Sequence, residues 1–122
     1  MKKFFGLTAV EYELMDLFWK TNRPLAFREI MEYIITVLKK DWKKQTLNTY
    51  LSNLQKVGLV QTERSNYYYN YMAAFSREEY VRRWTRKLVE EAYGNSIGNF
   101  VAAFTGDEKI VGEEAEKLKK LI

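Results

Sequence analysis

The residues best suited to chemistry lie between Lys43 and Lys56. Lys43, Lys44, Gln45, Thr46, Asn48, Thr49, Asn53 and Lys56 supply ammonium, carboxamide and hydroxyl groups, with almost no carboxylate among them. Amides and hydroxyls donate to and accept from base edges, and lysines neutralise phosphates. An ordinary solvated helix face mixes Glu with Lys, for solubility and for pairing across a turn. A polar surface helix with no ligand is the plain alternative, and the neighbouring elements must decide between the two.

Other chemistry is excluded by what the chain lacks. It contains no cysteine and no histidine. Disulfides, thiolate nucleophiles, Cys/His metal sites and Ser-His-Asp or Cys-His arrangements are therefore ruled out. There is no glycine-rich phosphate loop and no carboxylate-rich metal motif, so neither enzyme activity nor a cofactor is expected. The net charge of +4 is unevenly placed. Residues 1–72 carry 11 lysines and arginines against 7 acids, whereas residues 73–122 carry 9 of each. Lys39, Lys40, Lys43 and Lys44 surround Asp41 alone. Such a cluster fits a polyanion partner or a solvated loop between helices, and charge by itself does not separate the two.

The elements that must position these groups follow from spacing. Thr8 with Glu11 forms a capping box, Leu7 is placed to staple onto Tyr12, and Leu14, Met15 and Phe18 make an apolar stripe. This predicts a helix over about 8–20, stopped by Thr21-Asn22-Arg23-Pro24. A second helix, about 26–39 and without a good cap, turns Phe27, Ile30, Ile34, Val37 and Leu38 inward. Trp42 anchors the following loop by burying its ring. The third helix, about 44–57, buries Leu47, Leu51 and Leu54, and Gly58 suits its left-handed terminus. Residues 59–63 and 67–71 read as strands around a turn at Arg64-Ser65-Asn66. Most of the tyrosines from Tyr67 to Tyr71 are expected to pack that hairpin onto the helices.

Three helices followed by a hairpin, within about 70 residues, is the order of a winged helix-turn-helix domain. There the third helix enters the major groove and the hairpin tip approaches the backbone, which makes Arg64 a candidate phosphate contact. Beyond residue 73 the character changes. Ser76 with Glu79 caps a helix over about 76–93, with Tyr80, Trp84 and Leu88 on one stripe. Ile97, Phe100, Val101 and Phe104 recur at offsets of 3, 4 and 7 and make a short amphipathic helix. A last helix begins near Gly112, its acids leading and its lysines trailing as the helix dipole prefers, and Leu118 and Leu121 lie on its apolar face. The expected division is a winged-helix DNA-binding domain over 1–73 and a three-helix dimerisation region over 74–122. A region of about 50 residues buries too little surface to be stable with its aromatic stripes exposed. It must fold back over the first domain or pair with a second copy, and pairing is preferred because such domains use two half-sites.

Taken together, the chain resembles the penicillinase-repressor family of winged-helix transcriptional regulators, the BlaI/MecI type. The resemblance is carried by Leu-Thr-Ala-Val-Glu-Tyr-Glu-Leu-Met-Asp-Leu-Phe-Trp (Leu7–Trp19), Asp41-Trp42, Thr46, Thr49, Leu54 and Lys56-Val57-Gly58-Leu59. Ser76-Arg77-Glu78-Glu79-Tyr80 and Gly98-Asn99-Phe100-Val101 extend it towards the end. It implies a homodimeric repressor whose N-terminal domains bind a dyad operator in double-stranded DNA and whose C-terminal helices form the dimer. Members similar to the resistance repressors are inactivated by cleavage at an Asn-Phe bond, through a membrane-bound sensor protease. Asn99-Phe100 stands where that bond would fall, although Phe100 is equally explained as a core residue of the dimer helix.

The chain also departs from the family's pattern. It has Lys43-Lys44-Gln45 where relatives tend to have Ser-Pro-Lys, and Asn48 and Asn53 where they often place arginines. Asparagine suits adenine and arginine suits guanine, so a different operator is implied. The cysteines of copper-responsive members are missing. The rival reading is a winged-helix protein–protein module whose interface is the aromatic surface of the hairpin and the C-terminal helices. No run approaches the roughly 20 apolar residues of a membrane helix. The start turns charged too soon, at Glu11, Glu13 and Asp16, for a secretory signal, so a cytoplasmic location is expected.

Overall fold

The computed structural model describes residues 5–65, 68–106 and 116. The elements run α1 (Ala9–Thr21), β1 (Leu25–Ala26), α2 (Phe27–Thr36), α3 (Lys44–Lys56), β2 (Val60–Ser65), β3 (Tyr68–Ala73), α4 (Arg77–Tyr93) and α5 (Ile97–Thr105). The expected final helix near Gly112, with Leu118 and Leu121, lies outside the described residues, as do Asn66 and Tyr67. The chain divides into two compact units, Met1–Trp84 and Thr85–Ile122.

Local chemistry starts and stops the first helices where the residues demand. The Thr8 amide donates to Glu11 Oε1 at 2.8 Å and the Glu11 amide to Thr8 Oγ1 at 3.1 Å, so both arms of the predicted box are made. Asn22 ends α1 in the left-handed region at φ 54°, where a short polar side chain is tolerated. At the start of α2, Ala26 has no side-chain acceptor to offer. Instead Glu29 reaches back to accept from the Ala26 amide at 3.1 Å, and Arg23 Nη2 holds its other oxygen at 2.7 Å. That hydrogen bond from Arg23, with the amide, keeps the Glu29 carboxyl below its ordinary value of 4.5.

α2 ends at Thr36, about three residues short of the expected boundary, because Leu38 and Lys40 donate their amides back to Tyr33 and Ile34 and close the turn. The core of the first unit joins Leu14, Met15 and Phe18 of α1, Ile30 and Ile34 of α2 and Leu47, Leu51 and Leu54 of α3. Leu25 and Val60 seal it from the sheet. Each buried side chain of this size contributes about 1.5–3 kcal/mol relative to exposure.

The sheet has the order β1-β3-β2 and is antiparallel throughout. β1 pairs Leu25 with Tyr71 and Ala26 with Asn70. Nothing in the sequence announces it, since two residues show no period. β2 and β3 form the hairpin, with Val60 opposite Ala73 and Ser65 opposite Tyr68. The segment from Phe75 into the first turns of α4 completes the first unit: Trp19 Nε1–H donates to the Phe75 carbonyl at 2.9 Å, and the Tyr80 hydroxyl to the Phe5 carbonyl at 2.6 Å. The Trp84 ring meets Phe5 edge-on at 5.5 Å. Tyr80 and Trp84, expected to face a second copy, thus have their rings engaged within their own unit.

In the second unit, Ser96 caps α5 by accepting from the Asn99 amide at 3.1 Å. Tyr93 packs edge-on against Phe100 at 5.7 Å, and Phe100 stacks beside Phe104 at 6.4 Å. None of the described residues of α4 or α5 is fully buried.

Candidate nucleic-acid interface

α3 is held by its apolar side and leaves its polar side clear. Leu47, Leu51 and Leu54 have at most 1% of their surface exposed. The opposite positions Lys44, Gln45, Asn48, Thr49, Asn53 and Lys56 are exposed, with Thr46 and Ser52 half-buried at the margin. This face is acid-free from end to end, and no carboxylate occurs between Asp41 and Glu63. The ion pairs among the described residues use none of Lys43, Lys44, Lys56 or Arg64. Lys40 differs from its neighbours: its ammonium lies 3.5 Å from Glu13 of α1. The Thr49 hydroxyl donates to the Gln45 carbonyl at 3.0 Å, which leaves its lone pairs free to accept from a ligand.

Two devices fix the ends of this helix. At its start, the Trp42 ring stacks on Tyr50 with centroids 4.7 Å apart and planes 6° from parallel. A pair of this kind adds about 0.5–1.5 kcal/mol beyond the area it buries. It ties the loop carrying Lys43 to the second turn of α3. At the end, Gly58 adopts φ 81°. Its amide donates to the Gln55 carbonyl at 3.0 Å and the Leu59 amide to the Leu54 carbonyl at 2.9 Å. This double closure is the Schellman arrangement, and it turns the chain directly into β2.

The first strand of the hairpin is open to solvent. From Gln61 to Ser65 every residue of β2 is exposed. Arg64 does not sit in the turn as expected; it is a strand residue opposite Tyr69, because the ladder continues two residues beyond Glu63. The tyrosines divide. Tyr71 packs on the core beside Phe27, at 6.4 Å between ring centres. Tyr68 and Tyr69 remain 71% and 57% exposed.

Beside the first turn of α3 lies an open groove of about 690 Å³ lined by Phe27, Arg28 and Met31 of α2, Lys44 of α3, and Tyr68, Tyr69 and Tyr71 of β3. Helical period alone does not reveal it, since with Ala26 of β1 its walls come from four separate elements. The positional signal was present only in the exposed tyrosines.

In the second unit, Ile97 and Phe104 are 52% and 83% exposed, while Leu88, Phe100 and Val101 are half-buried. Asn99 is exposed within the first turns of α5, and the Phe100 amide is bonded to the Ser96 carbonyl at 3.1 Å. No group of three or more metal-binding side chains occurs among the described residues. Nor is any helix among them long and apolar enough to cross a membrane.

Comparison with known proteins agrees with this architecture. A family model described as Penicillinase repressor matches residues 7–122. The methicillin resistance regulatory protein MecI of Staphylococcus aureus (strain N315) is 22% identical over 120 residues, covering 98% of this chain and 95% of that protein. The penicillinase repressor of Bacillus licheniformis is 22% identical over 122 residues, covering 100% of this chain and 93% of that protein. Among solved structures, an ArsR-like transcriptional regulator from Rhodococcus sp. RHA1 aligns with a TM-score of 0.50 at 18% identity, over 83% of this chain and 84% of that one.

Proposed function

The chain belongs to the penicillinase-repressor family, a family of DNA-binding transcriptional repressors rather than enzymes, and from that premise we propose that it represses transcription as a homodimer on a dyad operator. The observation that carries this reading is the acid-free, unpaired and exposed face of α3. Lys43 and Lys44 engage phosphates at the N-terminal end of the helix and Lys56 at its C-terminal end. Gln45, Thr46, Asn48, Thr49 and Asn53 meet base edges or adjoining phosphates in the major groove. Arg64 contacts backbone from the exposed strand of the hairpin.

The C-terminal region supplies pairing. Ile97 and Phe104 present apolar surface that an isolated unit has no reason to leave in water, with Leu88, Phe100 and Val101 joining them in the pairing surface, and Leu118 and Leu121, outside the described residues, are assigned to pairing from the sequence alone. Two linked domains gain affinity through effective concentration, so separating the dimer releases the operator. Cleavage of the Asn99–Phe100 bond by a partner protease of a membrane sensor system would do so. Because the bond lies in α5, that helix must open locally before a protease can take it as extended chain. A protein working in this way acts in the cytoplasm.

Selection of bound sequences from a random duplex pool tests the proposal. Enrichment of a sequence with two-fold symmetry supports it. Absence of any duplex binding at low salt would instead favour a protein–protein module.

A further inference from the structure

The segment Phe5-Gly6-Leu7 does more than lead into α1. Leu7 is buried, and the two residues before it lie against the opening turns of α4. The Phe5 carbonyl accepts from the Tyr80 hydroxyl, the Phe5 ring meets Trp84 edge-on, and the Arg77 guanidinium lies over that ring at 5.4 Å. A hydrogen bond, an aromatic pair and a cation over a ring face thus converge on one residue. The Tyr80 ring also leans on Trp19 of α1 at 5.8 Å, and Trp19 bonds the Phe75 carbonyl. The start of α4 is therefore held both by α1 and by the segment ahead of α1.

The backbone of this segment is shaped for that close approach. Gly6 adopts φ 84°, and a Cβ there would stand 3.1 Å from Trp84 Nε1 and 3.3 Å from its Cδ1. Phe5 adopts φ 53°, a left-handed backbone that a bulky L-residue holds only where its surroundings over-determine it. Burial, and then the Glu11 charge, raise the Tyr80 hydroxyl above its ordinary value of 10.0, so it remains a donor near neutrality. Trp84 is the last residue of the first unit, and Thr85 opens the second. α4 itself runs from Arg77 to Tyr93 with neither glycine nor proline, two common causes of a kink. The segment grips the one helix that continues from the first unit into the second, and it does so at the last turn before the boundary.

We infer that Phe5, Gly6 and Tyr80 are positioning residues for the operator: by fixing the opening turns of α4, they restrict the half-site spacings that one dimer can span. The inference rests on the dimeric repressor reading above and adds a determinant of spacing that needs no contact of its own with DNA. One inserted base pair displaces a half-site by about 3.4 Å and turns it by about 35°. A firmly held connection loses the second contact under that change. A loosened one follows it, but with a lower effective concentration at the best spacing.

The test uses the full chain, as wild type and with Gly6→Ala or Tyr80→Phe, on duplexes built from a half-site recovered by selection. One duplex carries a single half-site. The others carry two, at the selected spacing or shifted from it by a base pair in either direction. Wild type should lose about tenfold on a shift, out of the roughly 10²–10⁴ that linkage can contribute. Both variants should lose about tenfold at the selected spacing and little more on the shifts, with single half-site affinity unchanged. Without DNA, Tyr80→Phe should let amides in the first turns of α4 exchange about fivefold faster, the scale of one net hydrogen bond. A role confined to stability would weaken binding to one half-site and to two in parallel and keep the wild-type profile, which overturns the inference. Unchanged binding and exchange in both variants overturns it, as does a wild type indifferent to spacing. Loss of the folded circular dichroism spectrum in both variants overturns it too, by placing the segment in the core. Each of these leaves the DNA-binding reading standing. Failure of the wild-type chain to bind any duplex removes that reading and the inference with it.

Discussion

Asn48 and Asn53 each carry a carboxamide able to donate and accept at once, the pattern that adenine presents in the major groove. Replacing either with alanine should reduce discrimination at particular base pairs by about 1–3 kcal/mol. Affinities for a panel of single-substitution duplexes check this, and an unchanged preference in both variants would remove the base-reading role. Lys43→Ala with Lys44→Ala should act differently: binding weakens on all sequences and the salt slope falls by nearly two. Glu29 supports the fold rather than the site. Its carboxyl is held below its ordinary value by Arg23 and the Ala26 amide, so the folded state binds that proton less readily than the unfolded chain. The stability it contributes is complete above pH 4.5 and declines as pH falls through its folded value. Glu29→Gln should flatten the pH dependence of urea unfolding across this acid range and leave duplex affinity unchanged near neutrality. These residue types could be read directly from the chain, and helical period alone put the amides of α3 opposite its leucines. The position of Arg64 could not, because the extent of a strand ladder depends on its partner strand.

The elements show what holds the site rigid. α3 is stopped by Gly58, whose left-handed backbone costs an L-residue with a side chain about 1–2 kcal/mol. A Cβ at this position would meet no atom within 4 Å, so Gly58→Ala should lose only that conformational energy. Chemical denaturation should show a destabilisation of that size, with little change in the denaturant slope. A much larger effect would mean that the turn into β2 is packed more closely than the structure shows. The cap of α1 and this terminus were both legible as local signatures. The start of α2 was not, since the acceptor for the Ala26 amide is the Glu29 carboxylate inside the helix, itself held by a donor, Arg23, outside it. β1 was equally hidden, because two residues acquire strand character only through Tyr71 and Asn70 across from them.

At the scale of the molecule, the aromatic residues that open α4 are engaged within the first unit, whereas no described residue of the second unit is fully buried. Trp84 and Tyr80 pack on residues of the first unit, including Phe5, whereas Ile97 and Phe104 remain exposed. Ile97→Ala with Phe104→Ala should therefore shift sedimentation toward monomer and lower operator affinity together, by roughly a hundredfold if two linked half-sites are uncoupled. A dimeric mass at micromolar concentration in this variant would remove α5 from the pairing surface. The equivalent change at Trp84 should act on stability of the first unit instead, by about 3–5 kcal/mol for loss of a large packed ring, scaled down for its partial exposure.

Composition and periodicity were enough to establish a polar, acid-poor helix after two apolar-striped ones and ahead of a hairpin, and hence the winged architecture. Both depend on neighbours along the chain, and a single sequence records such neighbours faithfully. Which tyrosines are covered, where Tyr80 and Trp84 spend their rings, and that Arg28 shares a groove with Lys44 were settled by tertiary structure alone. Each is a meeting of segments far apart in sequence, decided by how much surface the assembled helices can cover, and no local pattern encodes that.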